Sequence, residues 1–406
     1  MKYLVLLGDG MADEPLEELE GKTPLDYAKT PNMDRLAVHG QLGLVETVPE
    51  GFHPGSDVAN LTVFGYDTSR CYTGRSPLEA ASMGVNLGPN DVAFRLNLVD
   101  IVYNYGKLYM SDFSAGHIST EEGTRIIETL QQELGDDNFE FHAGVSYRHL
   151  LVWRNGKDTM SFTPPHDIID QSIEEYLPKG EGAEVLADLI NSAQMLLSNH
   201  PVNVQRRTEG KALANSIWLW GHGRAPQMET YKDKFGLTGA VISAVDLIKG
   251  IGIYAGLDII DVPGATGYLD TNYVGKANAA IETLKDHDFV YVHVEAPDEA
   301  GHLGDLKEKI TAIERFDDEV VGTILKSIDQ LGDWRMLVLP DHPTPVALRT
   351  HTKDPVPYIL CTANNLAETN TTMTQGLGYC EKDAKSTGIK CDLGHTLLTQ
   401  LLEQNN

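Results

Sequence analysis

After Met1-Lys2 the chain runs through five consecutive apolar residues, Tyr3 to Leu7, and then breaks at Gly8-Asp9-Gly10. A short apolar run closed by glycine is the pattern of a strand buried on both faces of a parallel sheet. Two later segments repeat it: DFVYVHV at 288–294 before EAPDEAGH, and RMLVLP at 335–340 before DHPTP. Helical patterns lie between them, at 31–39 with Pro31 at the first turn, and at 306–331 where apolar and charged positions alternate at helical period. Strand alternating with helix predicts an α/β fold with a doubly wound, mostly parallel sheet.

The stretch from 89 to 210 has a different rhythm. FRLNLVDIVY, KLYMSDF and VSYRHLLVW read as strands clustered ahead of a helix at 182–199. This predicts an inserted smaller α+β domain at 89–210, with glycine and proline punctuation near Gly88-Pro89 and Asn199-His200-Pro201. Residues 1–88 and 211–406 would then form the core.

In open α/β sheets ligands bind beyond the carboxyl ends of the strands, so Asp9, the acids after residue 294 and Asp341-His342 are expected on one rim. Asp298 and His302 are four apart, which on a helical turn puts a carboxylate and an imidazole on one face, able to hold a divalent ion. Any solvated helix can present that pair, so it carries little alone. Asp341-His342 directly after a buried strand is more unusual, because adjacent residues there can diverge toward two metals about 3.5 to 4 Å apart. His351 and Asp9 complete a set of three carboxylates and three histidines. Such mixed ligation suits manganese, zinc or magnesium, and the absence of a cysteine ligand argues against a purely structural zinc.

Ser56, in PGSDVANLTVFG, follows a glycine and opens a helical pattern. On the local pattern it reads first as an N-cap, and a nucleophile is compatible with that: a helix N-terminus surrounds the hydroxyl with donors, and bound metal lowers its pKa. Gly21-Lys22-Thr23 ends like a phosphate-binding loop, but Leu16 stands where that loop's first glycine belongs, so the segment is read as a turn.

Charge narrows the partners. With 59 acidic and 32 basic residues the formal net charge is −27, which argues against nucleic acid. A small phosphate ester stays compatible, since metal ions and a few arginines reverse the field locally. The run Tyr3 to Leu7 is too short for a signal core or a membrane span, so a cytoplasmic protein without a membrane partner is expected. Cys71, Cys361, Cys380 and Cys391 show no C-x-x-C spacing and read as reduced, structural thiols.

The runs DGMAD, KTPLDYAKTPNMDRLAVHG, PGSDVANLTVFGYD, TGRSPLEAASMG and NSIWLWGHG, with the acids and histidines above in this order, resemble the archaeal-type cofactor-independent phosphoglycerate mutases of the alkaline phosphatase superfamily. The resemblance implies an alkaline-phosphatase-like core and a phosphoserine mechanism with Ser56 as the nucleophile. It implies two divalent ions, manganese foremost with magnesium or zinc as alternatives, and no use of 2,3-bisphosphoglycerate. One ion would be held by Asp298, His302 and His351, the other by Asp9, Ser56, Asp341 and His342. The reaction implied is interconversion of 3-phosphoglycerate and 2-phosphoglycerate, with the insert as a substrate-binding lid. His117, in MSDFSAGHIST, resembles the family's second-domain histidine, and Arg148, Arg206, Arg207 and Lys249 are candidates for the substrate's phosphate and carboxylate. The opening GDGMAD departs from the more usual IDG, which leaves open transfer to another acceptor, such as homoserine, or hydrolysis.

Overall fold

The first strand, Lys2–Gly8, lies inside a sheet, paired in parallel with Phe289–Val294 on one side and Trp334–Leu339 on the other. In the computed structural model, which describes residues 1–367 and 376–403, these belong to an eight-stranded sheet. Its order is Lys390–Cys391, Gln41–Val45, Val356–Thr362, Trp334–Leu339, Lys2–Gly8, Phe289–Val294, Gly239–Ile242, Asp258–Ile259. Only Val356–Thr362 runs against its neighbours. The mostly parallel α/β fold expected from the apolar runs is therefore what forms.

Leu4, Leu6, Val290, Val292, Met336 and Val338 are buried with Met33, Leu36 and Ala37 of the helix Pro31–His39, and with Ala312, Ile313 and Phe316. The predicted long helix at 306–331 is in fact broken. Leu306–Arg315 is α-helical, Phe316–Gly322 widens into a π-helical stretch, and a short α turn and a 3-10 turn follow. The wide stretch carries Asp317, whose carboxylate accepts the free N–H groups of Asn32 (3.2 Å) and Met33 (2.7 Å) at the start of Pro31–His39. Asp317 of the wide stretch thus caps another element, a contact that propensity alone does not show.

The core strands and helices form one compact unit, Met1–Tyr72 with Gln227–Asn406; the second unit is Thr73–Pro226. The division falls outside the expected limits of 89 and 210 at both ends. The helix Ser76–Ser82 sets Ala80 against Ala93, Leu150 and Val152, and Thr73 Oγ1 donates to the carbonyl of Arg224 at 2.6 Å, so the segment closes on itself beyond those limits. Its sheet is antiparallel, ordered Lys107–Asp112, Val92–Asn104, Arg148–Trp153, Phe139–Val145, with Ser216–Gly223 also paired to Val92–Asn104. Ile126, Ile127 and Leu130 of Thr120–Leu134 and Leu186 and Ile190 of Ala183–Leu197 cover Phe94, Leu96 and Leu151. VSYRHLLVW is not one strand: Ser146, at φ 58°, turns the chain between Phe139–Val145 and Arg148–Trp153. Among the described residues no helix is long and apolar enough to cross a membrane.

Candidate active site

Three parallel strands end side by side, and each delivers acid or imidazole within a few residues. Asp9 follows Lys2–Gly8 and its N–H donates to the carbonyl of Val294, which ties the ends of two strands together (2.9 Å). Beyond Val294 the helix Ala296–Leu303 begins with Pro297 in its first turn and presents Asp298 and His302 one turn apart. Asp341 and His342 follow Trp334–Leu339. Asp9, Asp341 and His342 are fully buried and Asp298 is 4% exposed.

Ser56 opens the helix Ser56–Val63, after Gly55, with its side chain partly exposed. Its Oγ lies 3.2 Å from Nε2 of His342. That nitrogen is 3.4 Å from Asp341 Oδ2 and 3.7 Å from Asp9 Oδ1. Nearby, His302 Nε2 approaches Asp298 Oδ2 (3.2 Å) and His351 Nε2 (2.9 Å), and His351 Nε2 is 3.5 Å from Asp298 Oδ1. The seven residues expected to hold the two ions therefore lie near one another, although the ligand atoms that converge group Asp9 with Asp341 and His342, and His342 also with Asp298 and His351. His342 and His351 also sit ring to ring, with centroids 4.0 Å apart, and ligand atoms of Asp298, His342 and His351 converge within 4.8 Å.

The histidine tautomers test whether these residues fit a metal. His302 Nδ1 faces the carbonyl of Arg349 (3.0 Å), His351 Nδ1 that of Pro54 (3.4 Å), and His342 Nδ1 the hydroxyl of Thr344 (3.3 Å). A carbonyl only accepts, so His302 and His351 donate from Nδ1. The Thr344 hydroxyl already donates to Asp298 Oδ1, so it accepts from His342. All three Nε2 lone pairs are then left facing carboxylates, which is the arrangement of metal-ligating imidazoles oriented by a second layer of hydrogen bonds. The acids agree. Burial, then Asp341, Glu295 and Asp298, push Asp9 well above the usual carboxylate range. Burial acts against Asp298 as well, yet where Nε2 of His302 and His351 carries a proton in place of an ion, its hydrogen bonds to Asp298 hold that acid well below the range and raise His302 to about 9. Acids packed this closely in a dry pocket call for divalent cations as partners.

Several supporting residues carry no motif of their own. Asp341 Oδ1 accepts from the N–H groups of Gly10 (3.1 Å) and His342 (2.9 Å), and its Oδ2 from Asn60 Nδ2 (2.8 Å), while Tyr291 donates to Asn60 Oδ1 (2.7 Å). Lys309, fully buried, is paired with Asp13 (2.7 Å) and donates to the carbonyl of Thr344 (2.7 Å), which braces the loop after His342. His293 and Glu295 flank Val294 and reach Asp9, the first at 2.9 Å. A histidine and a tyrosine inside the apolar run DFVYVHV are the sequence signal for two of these; Asn60 reads only as a polar position in a helix.

The substrate-binding candidates divide. Arg206 is 3% exposed, and its guanidinium donates to the carbonyls of Ala115 and Ala212 and pairs with Glu122, so it is a structural residue rather than a substrate ligand. Arg207 is exposed beside the carbonyl of Ser198 (3.3 Å), and Lys249, in the core unit, pairs with Asp261 at 2.8 Å. Arg148 and His117 are exposed and both border Tyr147, at 5.6 Å and 5.9 Å. In the same unit Arg75 and Arg95 flank Glu79, with Arg95 stacked on Trp220, an excess of positive charge that includes Arg148. Gly21-Lys22-Thr23 is a turn, with Thr23 capping Pro24–Tyr27.

Known proteins share this chain's pattern. A family model described as 2,3-bisphosphoglycerate-independent phosphoglycerate mutase matches residues 37–203. A Geobacter sulfurreducens protein named as a probable 2,3-bisphosphoglycerate-independent phosphoglycerate mutase is 59% identical over 405 residues, covering 100% of each chain. A Methanosarcina acetivorans protein named as the same mutase is 56% identical over 363 residues, 89% of this chain and 90% of its own length. A solved structure from Pyrococcus horikoshii superposes with a TM-score of 0.84 at 30% identity, covering 100% of this chain and 98% of that one.

Proposed function

This chain belongs to the 2,3-bisphosphoglycerate-independent phosphoglycerate mutase family, and from that premise we propose that Ser56 is the nucleophile with which it interconverts 3-phosphoglycerate and 2-phosphoglycerate. The observation that carries the assignment is the Ser56 hydroxyl at a helix N-terminus, 3.2 Å from His342 Nε2 and beside the converging acids and imidazoles. Ser56 Oγ loses its proton and attacks phosphorus, the P–O3 bond of 3-phosphoglycerate breaks, and O3 takes up a proton. The retained glycerate turns, its O2 hydroxyl loses its proton and attacks phosphoserine, the P–Oγ bond breaks to give 2-phosphoglycerate, and Ser56 Oγ is reprotonated. Atoms balance without an added phosphate donor, consistent with independence of 2,3-bisphosphoglycerate.

Asp298, His302 and His351 would hold one divalent ion and Asp9, Ser56, Asp341 and His342 the other. Bound there, the ions supply charge neutralisation for the transferring phosphoryl group and lower the pKa of the serine hydroxyl. The donor set, carboxylates and imidazoles without thiolate, suits manganese, with magnesium and zinc as alternatives. Asn60, held by Tyr291, orients Asp341. We assign the insert as the substrate domain, with exposed Arg148 and His117 facing the substrate's anionic groups. The same domain is our candidate for shielding phosphoserine from water, the difference between a mutase and a phosphatase. Neither homoserine phosphorylation nor hydrolysis is favoured, as the relatives over the full chain are named as mutases.

The test is a coupled assay with manganese, offering 3-phosphoglycerate and reading 2-phosphoglycerate through enolase, without added bisphosphoglycerate. Turnover is expected in the wild type and a loss of at least about 10³-fold in Ser56→Ala. Full activity in Ser56→Ala would remove the serine from the mechanism.

A further inference from the structure

Ligand atoms of His342 converge with those of Asp9 and Asp341 and also with those of Asp298 and His351, so whatever sets its tautomer bears on both ions. Its Nε2 faces Ser56 Oγ (3.2 Å), Asp341 Oδ2 (3.4 Å) and Asp9 Oδ1 (3.7 Å). Its Nδ1 lies 3.3 Å from the hydroxyl of Thr344, and that same hydroxyl donates to Asp298 Oδ1. Thr344 thus stands between a ligand of one ion and a ligand of the other, and it has no part in the phosphoryl transfer.

Thr344 is fully buried and each of its polar atoms is engaged. Its N–H donates to the carbonyl of Ala12 (3.2 Å), and its carbonyl accepts from Lys309 Nζ (2.7 Å). Lys309 is paired with Asp13, whose carboxylate also accepts the N–H of Val346 (3.1 Å), so the backbone is held on both sides of the hydroxyl. Two glycines make room for it: a Cβ on Gly10 would lie 2.6 Å from Thr344 Oγ1 and 2.7 Å from Asp298 Oδ1, and one on Gly301 2.5 Å from the Thr344 carbonyl. A hydroxyl has one proton to give. Given to Asp298, which as a carboxylate only accepts, it leaves a lone pair for the Nδ1–H of His342, and Nε2 is then bare. Given to Nδ1 instead, it would leave the ring proton on Nε2, where no ion can bind.

We propose that Thr344 is a positioning residue that couples the two ion groups: its hydroxyl, committed to Asp298, holds His342 in the tautomer that can ligate. An ion that fixes the Asp298 carboxylate in place keeps the hydroxyl turned toward it, so occupancy of one group readies the other, and by linkage the effect runs equally in reverse. Direct repulsion between two ions about 4 Å apart opposes this coupling, so it is read by comparing variants rather than from the shape of one binding curve. The inference rests on the two-ion reading and adds to it a residue that binds neither ion.

The test reads manganese affinity rather than turnover. Metal-depleted full-length protein is titrated with manganese alone, and bound manganese is determined from the loss of the free-ion electron paramagnetic resonance signal. Thr344→Val, which keeps the shape without the hydroxyl, is expected to bind about 10- to 100-fold more weakly, whereas Thr344→Ser, which keeps the hydroxyl without the methyl, retains the wild-type affinity. Asp298→Ala leaves the ion of the Asp341 and His342 group, and its affinity should fall by a factor at least about fivefold larger with Thr344 present than in Thr344→Val. Wild-type affinity in Thr344→Val would overturn the proposal, and so would equal losses in Thr344→Val and Thr344→Ser, which point to packing. Equal factors for Asp298→Ala in the two backgrounds would also overturn it, because Asp298 would then act through its charge alone. Any of these outcomes with two equivalents bound in the wild type leaves the two-ion reading intact; fewer than two overturns that reading and the coupling with it. The two Thr344 variants decide the matter even where Asp298→Ala does not fold.

Discussion

A histidine's role here is set by what its far nitrogen touches. His302 and His351 give Nδ1 to backbone carbonyls and turn Nε2 toward Asp298, which suits the metal ligation proposed for them. His149 is a contrasting case in the insert: 4% exposed, it accepts the N–H of Gly144 at Nδ1 (3.0 Å), and its Nε2 has no partner. Burial pushes its pKa down to about 3. The folded value thus lies below the unfolded value of about 6.5, so the neutral ring's contribution is fully present above pH 6.5 and is lost as pH falls toward 3, by up to about 1.4 kcal/mol per pH unit. Between pH 7.5 and 5.5 the wild type should lose about 1.4 kcal/mol more stability than His149→Asn, which has nothing to protonate. Urea denaturation of both at the two pH values checks this. Equal losses would mean that His149 is already protonated, or not buried, in the folded chain.

At the scale of elements, the helix Ser56–Val63 does two jobs one turn apart. Its first residue is the proposed nucleophile, and Asn60 bonds both the Ser56 carbonyl (2.9 Å) and Asp341 (2.8 Å), with Tyr291 of a core strand fixing the amide from behind. Asn60→Ala leaves Asp341 short of a donor and Tyr291 without its acceptor. Such outer-layer changes typically cost 10- to 100-fold, so kcat or manganese affinity should fall by about that factor while Ser56 is unchanged. Steady-state kinetics over a manganese series would show it, and unchanged values would make the Tyr291–Asn60–Asp341 chain merely structural. Strand ends were readable in the sequence because a strand buried on both faces must be apolar throughout, so an acid after it stands out, as Asp9 and Asp341 do. Asn60 was not, since a polar residue within a helix has many ordinary reasons to be there. The break at Phe316–Gly322 was hidden for a related reason: helical periodicity continues through it, and the N–H groups that its Asp317 accepts belong to Asn32 and Met33, far away in the chain. In VSYRHLLVW, likewise, the apolar pattern runs across a turn that Ser146 makes by adopting positive φ.

Over the whole molecule, a formal charge of −27 is at odds with an anionic substrate, and the placement of acids shows how the two coexist. Asp9, Asp298 and Asp341 are buried where divalent ions would reverse their field, whereas the insert gathers Arg75, Arg95 and Arg148 about Glu79. Every proposed ion ligand lies in Met1–Tyr72 or Gln227–Asn406 and none in Thr73–Pro226. Ligands that bind the native state stabilise it by mass action, about 2.7 kcal/mol for an ion at 100 times its Kd. Removing the ions also leaves the buried acids to repel one another, so the loss falls on the strands that carry them. Chelation should therefore speed amide hydrogen exchange in Lys2–Gly8, Phe289–Val294, Trp334–Leu339 and Ser56–Val63, with manganese restoring protection. Val92–Asn104 and Arg148–Trp153, stabilised by their own apolar core, should exchange at the same rate with and without chelator. Mass spectrometry of exchanged peptides separates these segments. Equal acceleration in both units would mean that the ions stabilise the chain through something other than the carboxyl ends of the parallel strands.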